Sequence, residues 1–289
     1  MIVTINNKQI QVKDGDILEN VIKKNFKEKN IVAARVNNNL CDLSENVIKD
    51  SIVELVTTSE KDGVDILRHS CAHIFGHAIK QLYPDVKMVI GPVIENGFYY
   101  DILSDTPITE KDLPTIENRM RKLAKKNFKI EKKVIEKDEA ISIFQDRKEP
   151  YKVELLKEIP KNEVIALYHH EEYVDMCRGP HLTNTKHITA FKLMKVSGSY
   201  WKGDSSNQAL TRIYGTAWAD IESLEEYLKS LEEAEKRDHR ILGKKLDLFH
   251  FQEEAPGAVF WHPKGWTLFQ SLINYMRNRQ DKAGYVETN

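Results

Sequence analysis

This 289-residue chain predicts an α+β fold in more than one domain, and three observations carry that expectation. Residues 1 to 60 alternate short strand patterns around one helical stretch. A long amphipathic pattern at 63 to 82 gives way at once to a strand and an Asn-Gly turn signal. From 220 to 242 a charged helical pattern separates that region from a denser apolar one. The length suffices for two or more buried cores. With 30% charged and 41% hydrophobic residues, the composition is that of an ordinary soluble protein. No apolar run approaches the roughly 20 residues a bilayer span needs. The formal net charge of -1 gives no global basic field, so any nucleic-acid contact has to come from local patches. Cys41, Cys71 and Cys177 are sparse and odd in number, which argues against a disulfide framework and suits a reducing cytosol. The N-terminus lacks a basic-then-apolar signal pattern, so a cytoplasmic location is expected.

The elements follow in order. Ile2 to Ile5 reads as a strand, Asn6-Asn7 as a turn, and Gln9 to Val12 as the returning strand. Asp16 is expected to cap a helix through Lys24, with Ile17, Leu18, Val21 and Ile22 on its apolar side. Ile31 to Val36 and Ser51 to Val56 read as further strands. A hairpin, a helix and returning strands in residues 1–62 suggest a ubiquitin-like grasp. Polar Ser59 to Gly63 reads as its linker to the next domain. The following helix stops at Tyr83-Pro84, because proline cannot continue it. Lys87 to Gly91 reads as a strand and Asn96-Gly97 as a hairpin turn. Beyond it Tyr99 and Tyr100 must face opposite ways. Thr109 opens a helix to residue 126, whose Arg119, Arg121, Lys122, Lys125 and Lys126 read first as a solvated, salt-bridged face. Residues 138 to 146 look helical, and Tyr151 to Leu156 fits a strand or a short helix. Ala166 to Tyr168, Phe191 to Val196 and Leu210 to Tyr214 read as strands. One long helix is expected from Asp220 to Leu242, with Leu224, Leu228 and Leu231 on one face.

Two clusters carry chemistry. His69, His73 and His77 lie four residues apart within the amphipathic helix. Neighbours at that spacing stack one turn above another and can aim imidazoles at one point. A single histidine there would read as a satisfied core residue; three in register point to function. Cys177 and His181 are again four apart, but Gly179-Pro180 forbids a regular helix between them. A sharp turn can bring that thiol and imidazole together. Cys177 alone would pass for a small buried hydrophobe. As a set, the two motifs supply soft ligands suited to zinc, or a base with its partners.

At His69-Ser-Cys-Ala-His73, Gly91-Pro-Val-Ile-Glu-Asn-Gly-Phe-Tyr-Tyr100, Asp175-Met-Cys-Arg-Gly-Pro-His181 and Arg212-Ile-Tyr-Gly-Thr-Ala-Trp218, the chain closely resembles the bacterial threonine–tRNA ligases. The resemblance implies a ubiquitin-like domain at 1–62 and an α+β editing domain with antiparallel sheet at 63–224. It further implies a linker helix at 225–242 and the start of a class II catalytic domain at 243–289. It implies hydrolysis of serine mischarged on tRNA(Thr), and it assigns His69, His73, Cys177 and His181 to the editing centre. Lys152, Asp175 and Tyr100 match positions lining the same pocket. Lys152 or Tyr100 would hold the ester carbonyl or terminal ribose, and Asp175 the seryl amine or a histidine. The family's ATP, magnesium and amino-acid zinc sites would lie beyond residue 289, so this stretch alone is not expected to charge tRNA. A homodimer is implied for the full-length family. Four protein ligands would fill a tetrahedral zinc, so a catalytic ion needs one of the four to stand off. Without metal, His73 would serve as base, assisted by His69 or His181. Two rival readings remain: a non-catalytic tRNA-binding module, and a zinc-stabilised structural domain.

Overall fold

The computed structural model describes residues 1–289 except 29, 49, 161, 162 and 289. The chain is α+β with mainly antiparallel sheets, and it divides into two compact units, Met1–Leu224 and Glu225–Asn289.

The first sheet begins with β1 (Ile2–Ile5) and β2 (Lys8–Gln11), paired antiparallel. Asn6 and Asn7 between them take φ of 44° and 64°, the left-handed conformation that asparagine tolerates and tight hairpins need. Helix α1 (Leu18–Asn25), β3 (Ile31–Val36), β4 (Asn39–Cys41) and β5 (Ile52–Thr57) complete the module. The strand order is β2-β1-β5-β3-β4, with β1 and β5 parallel. Val3, Ile5, Val53 and Leu55 alternate onto the face that holds Leu18, Val21 and Ile22 of α1. Asp16 does not cap α1. Its carboxylate accepts the Lys13 N–H at 2.8 Å, and Ile17 fills the cap position without a side-chain bond. The short β4 was not expected; its only signal was a second Asn-Asn turn at Asn37-Asn38.

Part of this sheet also faces the other way. Val32, Ala33 and Val56 join the larger core formed around α2 (Lys61–Leu82). The stretch read as a polar linker is therefore structured from Lys61 onward. Arg35 binds Glu60 and Asp62 at 3.3 and 2.8 Å. A Cβ at Gly63 would lie 1.9 Å from the Thr57 carbonyl oxygen, so that close approach needs glycine.

After α2 come β6 (Lys87–Met88), β7 (Val93–Ile94), β8 (Gly97–Leu103), α3 (Leu113–Lys125), β9 (Glu131–Ile135) and α4 (Lys137–Asp146). Then follow α5 (Pro150–Glu158), β10 (Ile165–His170), β11 (Tyr173–Met176), β12 (Ala190–Tyr200), β13 (Ala209–Trp218) and α6 (Ile221–Lys236). One antiparallel sheet runs β12-β13-β8-β6, with β7 paired to β8; another runs β11-β10-β9. Cys71, Ile74, Phe75, Ala78 and Ile79 of α2 pack with Phe98, Tyr100 and Ile102 of β8 and with Ile116, Met120 and Leu123 of α3. As alternation requires, Tyr100 is buried and Tyr99 only half-buried. Thr109 and Asp112 form the capping box ahead of α3. On the basic face of α3, Arg121 bonds Glu117 at 2.7 Å, in line with the salt-bridged reading.

The ambiguous segment at 151 to 156 is helix. Pro150 suits a first helical turn, and Val153 and Leu156, three apart, bury one face. The expected single helix over 220–242 is broken. It ends at Lys236, and Asp238 caps α7 (His239–Lys245) by accepting the Arg240 N–H at 2.7 Å. Within the second unit, β14 (Phe249–His250) pairs with β15 (Phe260–Trp261), followed by α8 (Pro263–Lys282). Among the described residues no helix is long and apolar enough to cross a membrane.

Candidate active site

Helix α2 holds His69 and His73 one turn apart, ring centroids 5.3 Å from each other. The turn after β11 brings His181 between them, its ring 4.2 Å from His69 and 4.1 Å from His73. The turn contains a cis Gly179-Pro180 bond. Cys177 Sγ lies 3.0 Å from His181 Nε2. One donor atom from each of His69, His73, Cys177 and His181 falls within 4.8 Å of every other. The two motifs therefore meet at one point, as their residue types suggested.

Behind this cluster stands a buried ionic network. Asp175 on β11 receives Lys152 Nζ at 2.5 Å, the Tyr100 hydroxyl at 2.5 Å, the Tyr173 hydroxyl at 3.1 Å and the Met176 N–H at 2.8 Å. Lys152 also donates to the Tyr100 oxygen at 3.1 Å. His73 Nε2 approaches the same carboxylate at 3.9 Å, too far for a hydrogen bond but close enough for charge. Burial alone would raise the Asp175 carboxyl; the Lys152 ammonium, the nearby His73 and the hydrogen bonds from Lys152 and Tyr100 together outweigh this and hold it well below the usual range. Desolvation lowers His69 to about 4. Burial also lowers His73 and His181 far below the usual histidine value. All three imidazoles are thus neutral at pH 7, the form that accepts protons or binds metal. Burial pushes the Cys177 thiol up, so it stays protonated unless a cation meets it.

Two glycines make room for the tyrosines of this network. A Cβ at Gly76 would fall 2.1 Å from the Tyr173 hydroxyl oxygen, and one at Gly91 2.4 Å from the Tyr100 ring. His69, His73, Tyr100, Lys152, Asp175 and Cys177 line a cavity of about 340 Å³, walled by Ile90, Pro92 and Leu155. A larger hollow of about 640 Å³ lies over Phe144 and Val153, but lysines, Glu149, Glu154, Gln145 and apolar groups line it, with no imidazole or thiol among them. All seven residues singled out for the site therefore gather in one region. The third histidine of the helix does not. His77 stacks on His170 and Tyr173 at 4.9 and 5.6 Å and bonds Glu172 at 2.8 Å.

Sequence reasoning missed several supports. Ser70 Oγ lies 2.9 Å from His181 Nδ1 and accepts the Leu182 N–H at 3.0 Å. Tyr168 places its ring 4.4 Å from His181. Asp42 accepts the His181 backbone N–H at 2.7 Å. Ser70 was in plain view inside the histidine motif, but nothing near Asp42 or Tyr168 in the sequence marks them.

The donor set fits zinc. Three neutral imidazoles and a thiol converge, and His73 Nδ1 is buried without a hydrogen-bond partner. Without metal, the same arrangement is a cluster of neutral bases beside a fixed lysine–aspartate pair.

Comparisons with known proteins bear on this region. The family model described as "Threonyl and Alanyl tRNA synthetase second additional domain" matches residues 165–214, which include Asp175, Cys177 and His181. The threonine–tRNA ligase of Psychrobacter arcticus is 56% identical over 256 residues, 89% of this chain and 40% of that protein. That of Acinetobacter baumannii is 54% identical over 259 residues, 90% of this chain and 40% of that protein. The chain thus spans about two fifths of the length of the curated relatives it matches.

Proposed function

Taking as premise that this chain is homologous to the threonine–tRNA ligases along some nine tenths of its length, we propose that residues 63–224 are an editing domain. It hydrolyses serine wrongly esterified to tRNA(Thr). The observation that carries this reading is the convergence of His69, His73, Cys177 and His181 at one point, beside a cavity that the first three of them line. The need is physical. Serine lacks one methyl of threonine, worth about 1–3 kcal/mol of discrimination, too little for accurate selection by binding. A second site that accepts the smaller product removes the error.

His73 takes a proton from the water that attacks the ester carbonyl, and returns it to the ribose oxygen as the acyl C–O bond breaks. His181 is less free to do so, since both its ring nitrogens already face Cys177 and Ser70. As His73 becomes an imidazolium, the Asp175 carboxylate 3.9 Å away steadies the charge. Lys152 has three N–H donors and spends two on Asp175 and Tyr100. The third is offered to the ester carbonyl, where negative charge develops. The four hydrogen bonds that Asp175 accepts make it an anchor for Lys152 and Tyr100 rather than a ligand for the seryl amine. Should zinc occupy the cluster, His69, His73, Cys177 and His181 would hold it, and it would supply Lewis-acid chemistry only with one of the four standing off.

The partner on this reading is tRNA(Thr) and the location is cytoplasmic; a homodimer is what the resemblance implies for full-length members of the family. A deacylation assay tests the proposal. Ser-tRNA(Thr) should be hydrolysed and Thr-tRNA(Thr) spared. Equal stability of Ser-tRNA(Thr) with and without the protein contradicts it and favours a non-catalytic tRNA-binding module.

A further inference from the structure

We propose that Asp42, in the N-terminal sheet module, is a positioning residue for the hydrolytic centre; this rests on the reading just given. Asp42 follows β4 and is 4% exposed. It does not line the cavity, and its two oxygens do separate work. Oδ1 accepts the backbone N–H of His181 at 2.7 Å, and Oδ2 accepts the Tyr168 hydroxyl at 2.8 Å. Lys132 Nζ approaches Oδ2 at 3.5 Å, which leaves the buried charge compensated.

The consequence reaches both walls of the histidine cluster. The His181 N–H belongs to the turn that aims the imidazole at Cys177 and Ser70. Tyr168 sets its ring edgewise 4.4 Å from His181 and 6.4 Å from His73. The same hydroxyl fills the space above Gly179, where a Cβ would lie 2.0 Å from it. One carboxylate thus fixes the backbone under His181 and the ring beside it. Its position in the chain is 139 residues from the first and 126 from the second. Two further bonds close the same seam: Lys132 to Glu45 at 2.5 Å, and Thr183 to Glu19 at 2.9 Å. Backbone N–H groups paired to a carboxylate are strong, directional anchors. Partners that orient catalytic groups in this way cost activity when removed, although they touch no substrate. The N-terminal module then supports the site from behind rather than hanging off it as an appendage.

The test compares Asp42→Ala, Asp42→Asn and Arg35→Ala in the full chain. Arg35→Ala breaks a bridge between the same module and α2, through Glu60 and Asp62, away from His181. Asparagine keeps an oxygen for the His181 N–H and a polar partner for Tyr168. Expected in Asp42→Ala is a fall of about 10- to 100-fold in kcat for Ser-tRNA(Thr) hydrolysis, with KM for the tRNA unchanged. Asp42→Asn should recover most of that loss, and Arg35→Ala should keep wild-type kcat. Histidine-ring NMR spectra, recorded without substrate, should show the His181 signals displaced in Asp42→Ala and restored in Asp42→Asn. Unchanged ring signals and unchanged kcat in Asp42→Ala overturn the proposal. So does a loss of kcat that asparagine does not repair and Arg35→Ala reproduces. An inactive wild-type protein sinks the deacylase reading instead, and the ring spectra then still decide the role of Asp42.

Discussion

His73 and His77 stand one turn apart on one helix, 3% and 1% exposed, each with an unpartnered Nδ1. Their surroundings differ in what meets them. Around His73 come His181, a thiol, a lysine–aspartate pair and a cavity of about 340 Å³. Around His77 come two flat rings, His170 and Tyr173, stacked at interplanar angles of 21° and 15°, and the carboxylate of Glu172 at the rim. The first setting leaves space for a reacting group; the second fills its space with rings. Helical spacing alone brought the three histidines into register. The segments arriving from β10, β11 and the Cys177–His181 turn decide which of them can do chemistry.

The largest expected effect separates the two settings by charge. Lys152→Met removes the partner of a buried carboxylate and should cost about 3–5 kcal/mol in denaturant unfolding. A cost under about 1 kcal/mol would mean that the Lys152–Asp175 pair is far better solvated than its burial implies.

Acid should act next. His69 and His170 are held to about 4 by burial, and His73 and His181 are lowered as well. An unfolded chain takes up these protons near pH 6.5, whereas the folded chain does not. Stability is therefore full above about pH 6.5 and falls as the pH drops towards 4, by at least about 1.4 kcal/mol per pH unit. Denaturant titrations across that range check it. Both ring nitrogens of His170 are buried without partners. His170→Phe should thus keep stability at pH 7 within about 1 kcal/mol and reduce the acid loss. An unchanged acid loss would move the whole effect to the cavity-side histidines.

The smallest effect belongs to the rim. Glu172→Gln removes the charge of a hydrogen-bond partner of His77 that is 61% exposed while keeping an amide oxygen there, so less than about 1 kcal/mol should be lost. Metal sharpens the comparison without substitution. If the cluster works on its own imidazoles, exhaustive chelation should leave the deacylation rate within about twofold. A collapse of the rate to that of His73→Ala would assign the chemistry to zinc.

Much of this arrangement could be read in the sequence, and the reasons for the rest are physical. The Asn6-Asn7 hairpin, the Thr109 cap and the four-residue spacings at His69-His73 and Cys177-His181 are local signals, and local signals survive folding. Tyr100, Lys152 and Asp175 came from resemblance, because no spacing links three elements that meet only in the folded chain. Strand β11 escaped notice because its most deeply buried residues are Tyr173 and Asp175, while Val174 and Met176 pack half-buried against the smaller core around Phe144 and Leu156. Strand β9 was hidden by Glu131, Lys132 and Lys133, which leave Val134 and Ile135 as its only apolar residues and give no alternating pattern. Asp42 had no local signal at all. Its role arises from two hydrogen bonds to residues more than a hundred positions away.

The most direct test of the account is the rate of Ser-tRNA(Thr) hydrolysis by His73→Ala and His77→Ala, measured side by side with the unchanged protein. His73→Ala should lose about a hundredfold or more in kcat, because the proton acceptor is gone. His77→Ala should stay within a few-fold, since its ring packs beside the site and takes no part in the reaction. Equal losses in the two variants, or full activity in His73→Ala, would contradict the division of helix α2 into a reactive turn and a packed one.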